Sequence, residues 1–267
     1  MDEADRQWVD SMPDAYQRGL VPTVFAPFAK DLASRASRLG SKQVLELAAG
    51  TGVLTVEVLA MLPSARVVAT DLNEAMVALG ARRAPGAIWR TADAMDLPFD
   101  DATFDLVVCQ FGLMFFPDKP AALSEVRRVL VDGGACLVNV WAALETQEIE
   151  MAVVAACQRL FPRDPPTFLR SAPHYYRNVE NLIADIEAGG LRVVDVEELV
   201  LHSPPASPAD IAAGYCFGTP LRFEIEARGG DLDTAVGAVA AEIEARFSTT
   251  AVTGRMHAHV VMARSGD

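Results

Sequence analysis

The 267-residue sequence predicts an α/β fold: a doubly wound, mostly parallel seven-stranded sheet carrying helical insertions. Three observations predict it. Between Ser41 and Trp141, short β-branched runs alternate with longer helical stretches, the pattern of βαβ units. Five strand candidates fall in that span and two more follow it. Finally, the run Val44–Thr55 passes from apolar residues through a glycine turn into a helix, as a ligand-binding strand end does.

The elements can be justified in order. A helical stretch from about Val21 to Arg38 follows a Pro-punctuated region holding Trp8, Met12 and Tyr16, so residues 1–40 are expected to form a helical cover and 41–267 the main domain. Gln43–Leu47, Arg66–Thr70, Ile88–Arg90, Phe104–Cys109 and Ala135–Val140 are short apolar runs bounded by turn residues, and are read as strands. After Asp71, Asn73 is placed to cap a helix that puts Met76, Val77 and Leu79 on one side. Asp118 caps the next, with Pro120 early and Leu123, Val126, Val129 and Leu130 at helical spacing, until Asp132-Gly133-Gly134 ends it. Beyond Trp141 come a helix over Gln147–Phe161, a break at Pro162, Pro165 and Pro166, and the cluster His174-Tyr175-Tyr176. Strands at Leu191–Leu201 and Met256–Met262 enclose two expected helices. Segments of about 142–176 and 203–255 are expected to act as lids, with Gly214–Pro220 as a closing loop.

Composition limits the function. Lys+Arg number 23 against 36 Asp+Glu, a formal charge of -13 that repels phosphate backbones, so no nucleic-acid partner is expected. No apolar run approaches the roughly 20 residues of a membrane span. The acidic start Met1–Asp5 lacks the basic character of a secretory signal, which makes cytoplasm the default compartment. Cys109, Cys136, Cys157 and Cys216 sit singly, as buried thiols rather than disulfides or zinc ligands. His257 and His259 alternate on the last strand, and solvent-facing histidines are expected there rather than a metal site.

The strongest local signal is the turn Ala48-Ala49-Gly50-Thr51-Gly52. Small residues there let the backbone approach a ligand. Asp71 ends the next strand about 20 residues on, where a carboxylate accepts ribose hydroxyls, so a ribonucleoside is expected. Thr55 occupies the third small position of a dinucleotide fingerprint, and no Tyr is followed four residues later by Lys, so an NAD(P)-dependent oxidoreductase is the alternative rather than the first reading.

Taken together, Glu46-x-Ala48-x-Gly50-x-Gly52, Thr70–Asn73, Ala92–Phe99, Phe104–Cys109 and Val126–Gly134 resemble the motifs of the class I S-adenosylmethionine-dependent methyltransferases. The run Leu97–Asp105 narrows the resemblance to the ubiquinone/menaquinone-biosynthesis type. It covers Ser41–Trp141, with an echo at Tyr16 and Pro22–Phe28. The resemblance implies a Rossmann-like domain, S-adenosyl-L-methionine as cofactor, and a methyl acceptor that is a small molecule. It also implies cofactor contacts at Tyr16, Glu46 and Gly52, and against the backbone of Ala48, Ala49 and Gly50. Asp71 would hold the ribose, Leu72 and Met76 would flank the adenine, Asp93 and the Ala94 amide would read its edge, and Cys109 and Gln110 would face the amino-acid end. The family commonly has Gly where this chain has Ala48. A non-methylating protein that binds the same cofactor would carry the same residues.

A sulfonium methyl is already activated, so a base is needed only where the acceptor must lose a proton. His174 and Tyr16 are the candidates singled out, ahead of Tyr175, Tyr176 and Tyr215. Phe111, Phe115 and Trp141, with His174, Tyr176 and Tyr215, are expected to line a flat, largely apolar acceptor site. Whether O, N or C is methylated, and the oligomeric state, are not set by the sequence.

Overall fold

A computed structural model describes residues 12–266. Trp8 lies outside the described residues, as does the first part of the 1–40 segment. In chain order the elements are α1 (Met12–Gly19), a π-helical turn Val21–Phe25, α2 (Ala26–Ser37), β1 (Gln43–Leu47), α3 (Val53–Met61), β2 (Arg66–Asp71), α4 (Glu74–Arg83), β3 (Ile88–Thr91), β4 (Phe104–Gln110), α5 (Lys119–Val129) and β5 (Leu130–Trp141). There follow α6 (Glu148–Leu160), α7 (Val179–Ala188), β6 (Arg192–His202), α8 (Pro208–Gly218), α9 (Leu221–Ala227), α10 (Leu232–Phe247) and β7 (Arg255–Arg264). Among the described residues no helix is long and apolar enough to cross a membrane.

The chain divides into a sheet unit (Phe28–Ala142, Tyr175–Leu199, Ala258–Asp267) and a helical unit (Met1–Pro27, Ala143–His174, Val200–His257). In the sheet unit the strand order is β3-β2-β1-β4-β5-β7-β6. The first five run parallel and β7 antiparallel to β5, the doubly wound sheet that the alternation of strand and helix predicts. Its order reverses between β1 and β4, the switch point at whose strand ends such sheets bind ligands.

Register and alternation sort the side chains. Val44, Leu106, Val108, Ala135, Leu137 and Val260 face α2 and α3, packing with Ala29, Leu32, Ala33, Leu54 and Val58 in a fully buried layer. Glu46, Gln110, Asn139 and Trp141 share that face at the carboxyl ends. Leu47, Val107, Cys109, Cys136 and Val138 turn instead toward Leu123 and Val126 of α5.

Braces fix the frame. Asp105 accepts the Lys42 and Gln43 amides at 2.8 and 3.1 Å, tying the start of β1 to β4. Arg128 donates to the Leu97 and Phe99 carbonyls and to Glu125 and Asp101, while Glu125 accepts the Leu97 amide at 2.9 Å, so α5 clamps the loop before β4. Asn73 and Asp118 cap α4 and α5 as expected. The end of α5 comes earlier than the sequence suggested, because Leu130 pairs with Phe104 and a bulge carries Asp132 and Gly133 outward before Leu106 meets Ala135.

The helical unit corrects two expectations. Three helices, not two, lie between β6 and β7. Tyr215, Cys216 and Phe217 lie inside α8 rather than in a closing loop. Gly214 and Gly218 are there for close packing: a Cβ on Gly214 would come within 2.9 Å of the Gly19 carbonyl carbon, and one on Gly218 within 2.6 Å of the Tyr16 amide. Backbone-to-backbone approach of α1 and α8, not hinge freedom, explains these glycines.

Candidate functional site

The chain leaves β1 through three residues in the left-handed region, Ala48 (φ 51°), Gly50 (φ 55°) and Gly52 (φ 85°). Ala48 holds a conformation that costs an L-residue roughly 1–2 kcal/mol. Gly52 has a different constraint, since a Cβ there would stand 3.0 Å from the Trp89 ring. Trp89, on β3, presses still closer on Gly80, where a Cβ would stand 2.2 Å from the ring, and anchors its indole N–H to the Ala84 carbonyl at 3.1 Å. Gly50 by contrast faces open space: apart from its chain neighbours, no atom of the described residues lies within 4 Å of where its Cβ would stand.

Asp71 ties the turn to β2. Its Oδ2 accepts the Gly50 amide at 2.8 Å and its Oδ1 the Asn73 amide at 2.9 Å. Burial raises the carboxyl above the ordinary Asp range, and the amides of Asn73, Gly50 and Leu72 pull it back. Both oxygens keep further lone pairs for a ligand.

Glu46 is 1% exposed, two residues before Ala48. Burial pushes its carboxyl up to about 8; Asp71 adds to the rise, and the Thr55 hydroxyl and amide offset part of it. Oε2 has no hydrogen-bond partner among the described residues. A buried acidic group with an unsatisfied oxygen, beside an open cradle at Gly50, fits a ligand bearing a cationic amino group.

Nearby, Leu72 is an exposed apolar side chain and Met76 a buried one in the first turn of α4. Asp93 accepts the Met95 amide at 2.9 Å, turning the loop that holds Ala94. Cys109 differs from expectation: its side chain points to the α5 layer and burial raises the thiol to about 12, so only its backbone stands at the strand end. Beyond Gln110, Phe111 takes φ 50° and stacks on Trp141 at 3.7 Å and 8°. Phe28 of α2 meets both rings edge-on at 5.2 Å. Phe115 stands exposed in a short turn, whereas Tyr176 is buried and donates its hydroxyl to Asp185 at 2.8 Å.

Tyr16, His174 and Tyr215 belong to the helical unit. Tyr16 packs its ring on Phe25 at 5.0 Å. His174 Nε2 lies 2.6 Å from Glu150 Oε2, and the Tyr215 hydroxyl donates to Glu150 Oε1 at 3.2 Å, all three residues being buried. Glu150 escaped sequence reading, because one acidic residue in the first turn of a helix normally faces water. Asn139 escaped it within an apolar strand, and Trp89 within a short edge strand. His259 is 8% exposed rather than solvent-facing. Among the described residues no group of three or more His, Cys, Asp or Glu side chains is placed to hold a metal ion.

Residues 44–134 match the model of a methyltransferase domain. The ubiquinone/menaquinone biosynthesis C-methyltransferase of Paracoccus denitrificans is 39% identical over 103 residues, 36% of this chain and 41% of that protein. The chain thus matches about two fifths of that relative's length. The protein of the same name from Idiomarina loihiensis is 31% identical over 178 residues, 61% of this chain and 70% of its own. A solved structure of Haemonchus contortus phosphoethanolamine N-methyltransferase 2 in complex with S-adenosyl-L-methionine superposes with a TM-score of 0.60 at 16% identity, covering 100% of this chain and 61% of that one, and so shares the fold. With the sheet order, the glycine turn and these relatives agreeing, the chain belongs to the class I S-adenosylmethionine-dependent methyltransferases, of the ubiquinone/menaquinone-biosynthesis type.

Proposed function

We propose that this protein methylates a small, flat, largely apolar acceptor of the quinol or phenol type. The observation that carries the reading is the turn at β1: a left-handed backbone open at Gly50, locked to Asp71, with the unsatisfied Glu46 carboxyl beneath it. Bound there, S-adenosylmethionine supplies a methyl group on a sulfonium, so that no nucleophilic side chain is required.

Each residue then has a physical task. Ala48, Ala49 and Gly50 offer backbone to the methionyl part, and Glu46 compensates its ammonium. Asp71, aimed by two amides, accepts from the ribose hydroxyls. Leu72 and Met76 flank the adenine, while Asp93 and the Ala94 amide read its edge. Gln110 and the Cys109 backbone meet the amino-acid end. Phe111 and Trp141 exclude water from the acceptor side, which strengthens the polar contacts that remain. A quinone-type acceptor draws support from the relatives, which are ubiquinone/menaquinone biosynthesis C-methyltransferases and demethylmenaquinone methyltransferases.

Two measurements test the reading. S-adenosylhomocysteine is expected to raise the melting temperature of the purified chain while NADH and NADPH leave it unchanged. Labelled methyl from the cofactor is expected in a quinol or phenol. A shift with the nicotinamide cofactors alone would return the protein to the oxidoreductase reading, and cofactor binding without transfer to any quinol, phenol or amine would mark a non-methylating binder.

A further inference from the structure

Asn139 sits on β5 directly across from Gln110, with 0% exposure. The Phe111 amide donates both to its main-chain carbonyl at 3.0 Å and to its Oδ1 at 3.1 Å. Because an amide N–H can only donate, the second contact fixes which end of the side chain is oxygen. Nδ2 is therefore a donor, and among the described residues no acceptor meets it.

Holding Phe111 does not explain the nitrogen. Phe111 keeps a left-handed backbone that a bulky residue adopts only under constraint, and Asn139 Oδ1 supplies part of that constraint. Buried unsatisfied donors are rare because they forfeit their hydrogen bonds to water, and they concentrate where a ligand completes them. This one shares a sheet face with Gln110 and Trp141, and Trp141 carries the stacked Phe111 ring. An oriented donor therefore stands beside an aromatic pair.

We propose that Asn139 Nδ2 recognises an oxygen of the methyl acceptor: a ring hydroxyl, or the oxyanion formed from it, on a flat and otherwise apolar aromatic molecule set against Phe111 and Trp141. The proposal rests on the methyl-transfer reading and assigns the residue that recognises the acceptor's oxygen. The donor favours an acceptor with a hydroxylated ring over a hydrocarbon of the same shape, and it favours the ionised hydroxyl over the neutral one, since a hydrogen bond to a charged oxygen in a dry site is the stronger.

The probes are 1-naphthol, 1-methoxynaphthalene and naphthalene, titrated into wild type and Asn139→Asp, with S-adenosylhomocysteine titrated separately by calorimetry. Asn139→Asp keeps an oxygen for the Phe111 amide and deletes the NH2. Wild type is expected to bind 1-naphthol about tenfold more tightly than naphthalene, a factor set by one neutral hydrogen bond. Because the variant's carboxylate can itself accept the naphthol O–H, the variant is compared on 1-methoxynaphthalene, whose oxygen can only accept. Wild type is expected to prefer it to naphthalene, and the variant to bind it no better than naphthalene. In wild type, 1-naphthol is expected to shift the Asn139 side-chain amide signals in a proton–nitrogen spectrum and naphthalene to leave them in place, a readout that does not depend on the variant folding. Equal binding of 1-naphthol and naphthalene by wild type, binding of neither, a preference for 1-methoxynaphthalene retained in the variant, or unmoved amide signals would overturn the proposal. A loss of S-adenosylhomocysteine binding in wild type would instead overturn the methyl-transfer reading, whatever the naphthol result.

Discussion

Glu46 offers a test in which stability and binding move in opposite directions. Burial holds its carboxyl at about 8 in the folded chain against an ordinary 4.5. An acid whose folded pKa is raised binds its proton more tightly when folded, so it favours folding least where the unfolded chain is ionised. Its contribution is fully present below about pH 4.5 and is lost as the pH rises toward 8. The whole effect amounts to about 5 kcal/mol, of which about 3 kcal/mol falls between pH 6 and pH 9. Glu46→Gln has nearly the same shape and no charge to bury. Urea unfolding of both proteins at several pH values isolates this group, because the titrations of groups not coupled to Glu46 cancel in the difference. The variant is expected to gain on wild type by about 3 kcal/mol from pH 6 to pH 9, while binding S-adenosylhomocysteine at least tenfold more weakly at pH 8, where the carboxylate meets the ligand's ammonium. A difference in stability that stays flat across the range would show that Glu46 is not held protonated. Unchanged ligand affinity would show that its free oxygen does not face the cofactor.

Other positions give sharper yes-or-no outcomes. Gly50→Ala is expected to cost only about 1–2 kcal/mol of stability, from its left-handed φ, yet to reduce S-adenosylhomocysteine affinity more than tenfold by placing a methyl in the open cradle; calorimetry and urea unfolding separate the two effects. Ala48→Gly is expected to stabilise by up to about 1 kcal/mol, the relief of φ 51° outweighing the added freedom of the unfolded chain, and a lower melting temperature would contradict that strain. Gly214→Ala decides between helix crossing and loop, because an uncrowded helix position would gain up to about 1 kcal/mol, whereas the contact with Gly19 predicts a loss of about 2 kcal/mol in chemical unfolding. Glu150→Ala is expected to cost about 2–3 kcal/mol by removing the buried acceptor of the Tyr215 hydroxyl and the carboxylate beside His174 Nε2, with Glu150→Gln recovering part of it.

How much of this was legible in the sequence follows from the range over which each constraint acts. The strands, the caps at Asn73 and Asp118, and the turn between β1 and Asp71 are set by residues close together in the chain, where apolar alternation and side-chain capping leave an imprint that can be read directly. The loop before β4 was legible as a pattern but not as a device: Glu125 and Arg128 brace it while Asp105 ties the strand it enters to β1, and only the approach of α5 and the pairing of β1 with β4 bring out their partners. Gly214–Pro220 misled for a related reason. A glycine that admits a neighbouring helix and a glycine that loosens a loop are the same letter, and only the approach of Gly19 tells them apart. Glu150, Asn139 and Trp89 had no local signal, since each takes its meaning from a partner far along the chain. The same distinction bears on Ala48. Its departure from the family's usual glycine reads as harmless when only side-chain size is counted, but at φ 51° the methyl carries backbone strain as well as bulk. Glycine at that position would relieve the strain, so if alanine there serves function, a glycine variant should be more stable and bind cofactor less tightly, whereas a variant better in both respects would make Ala48 a tolerated imperfection.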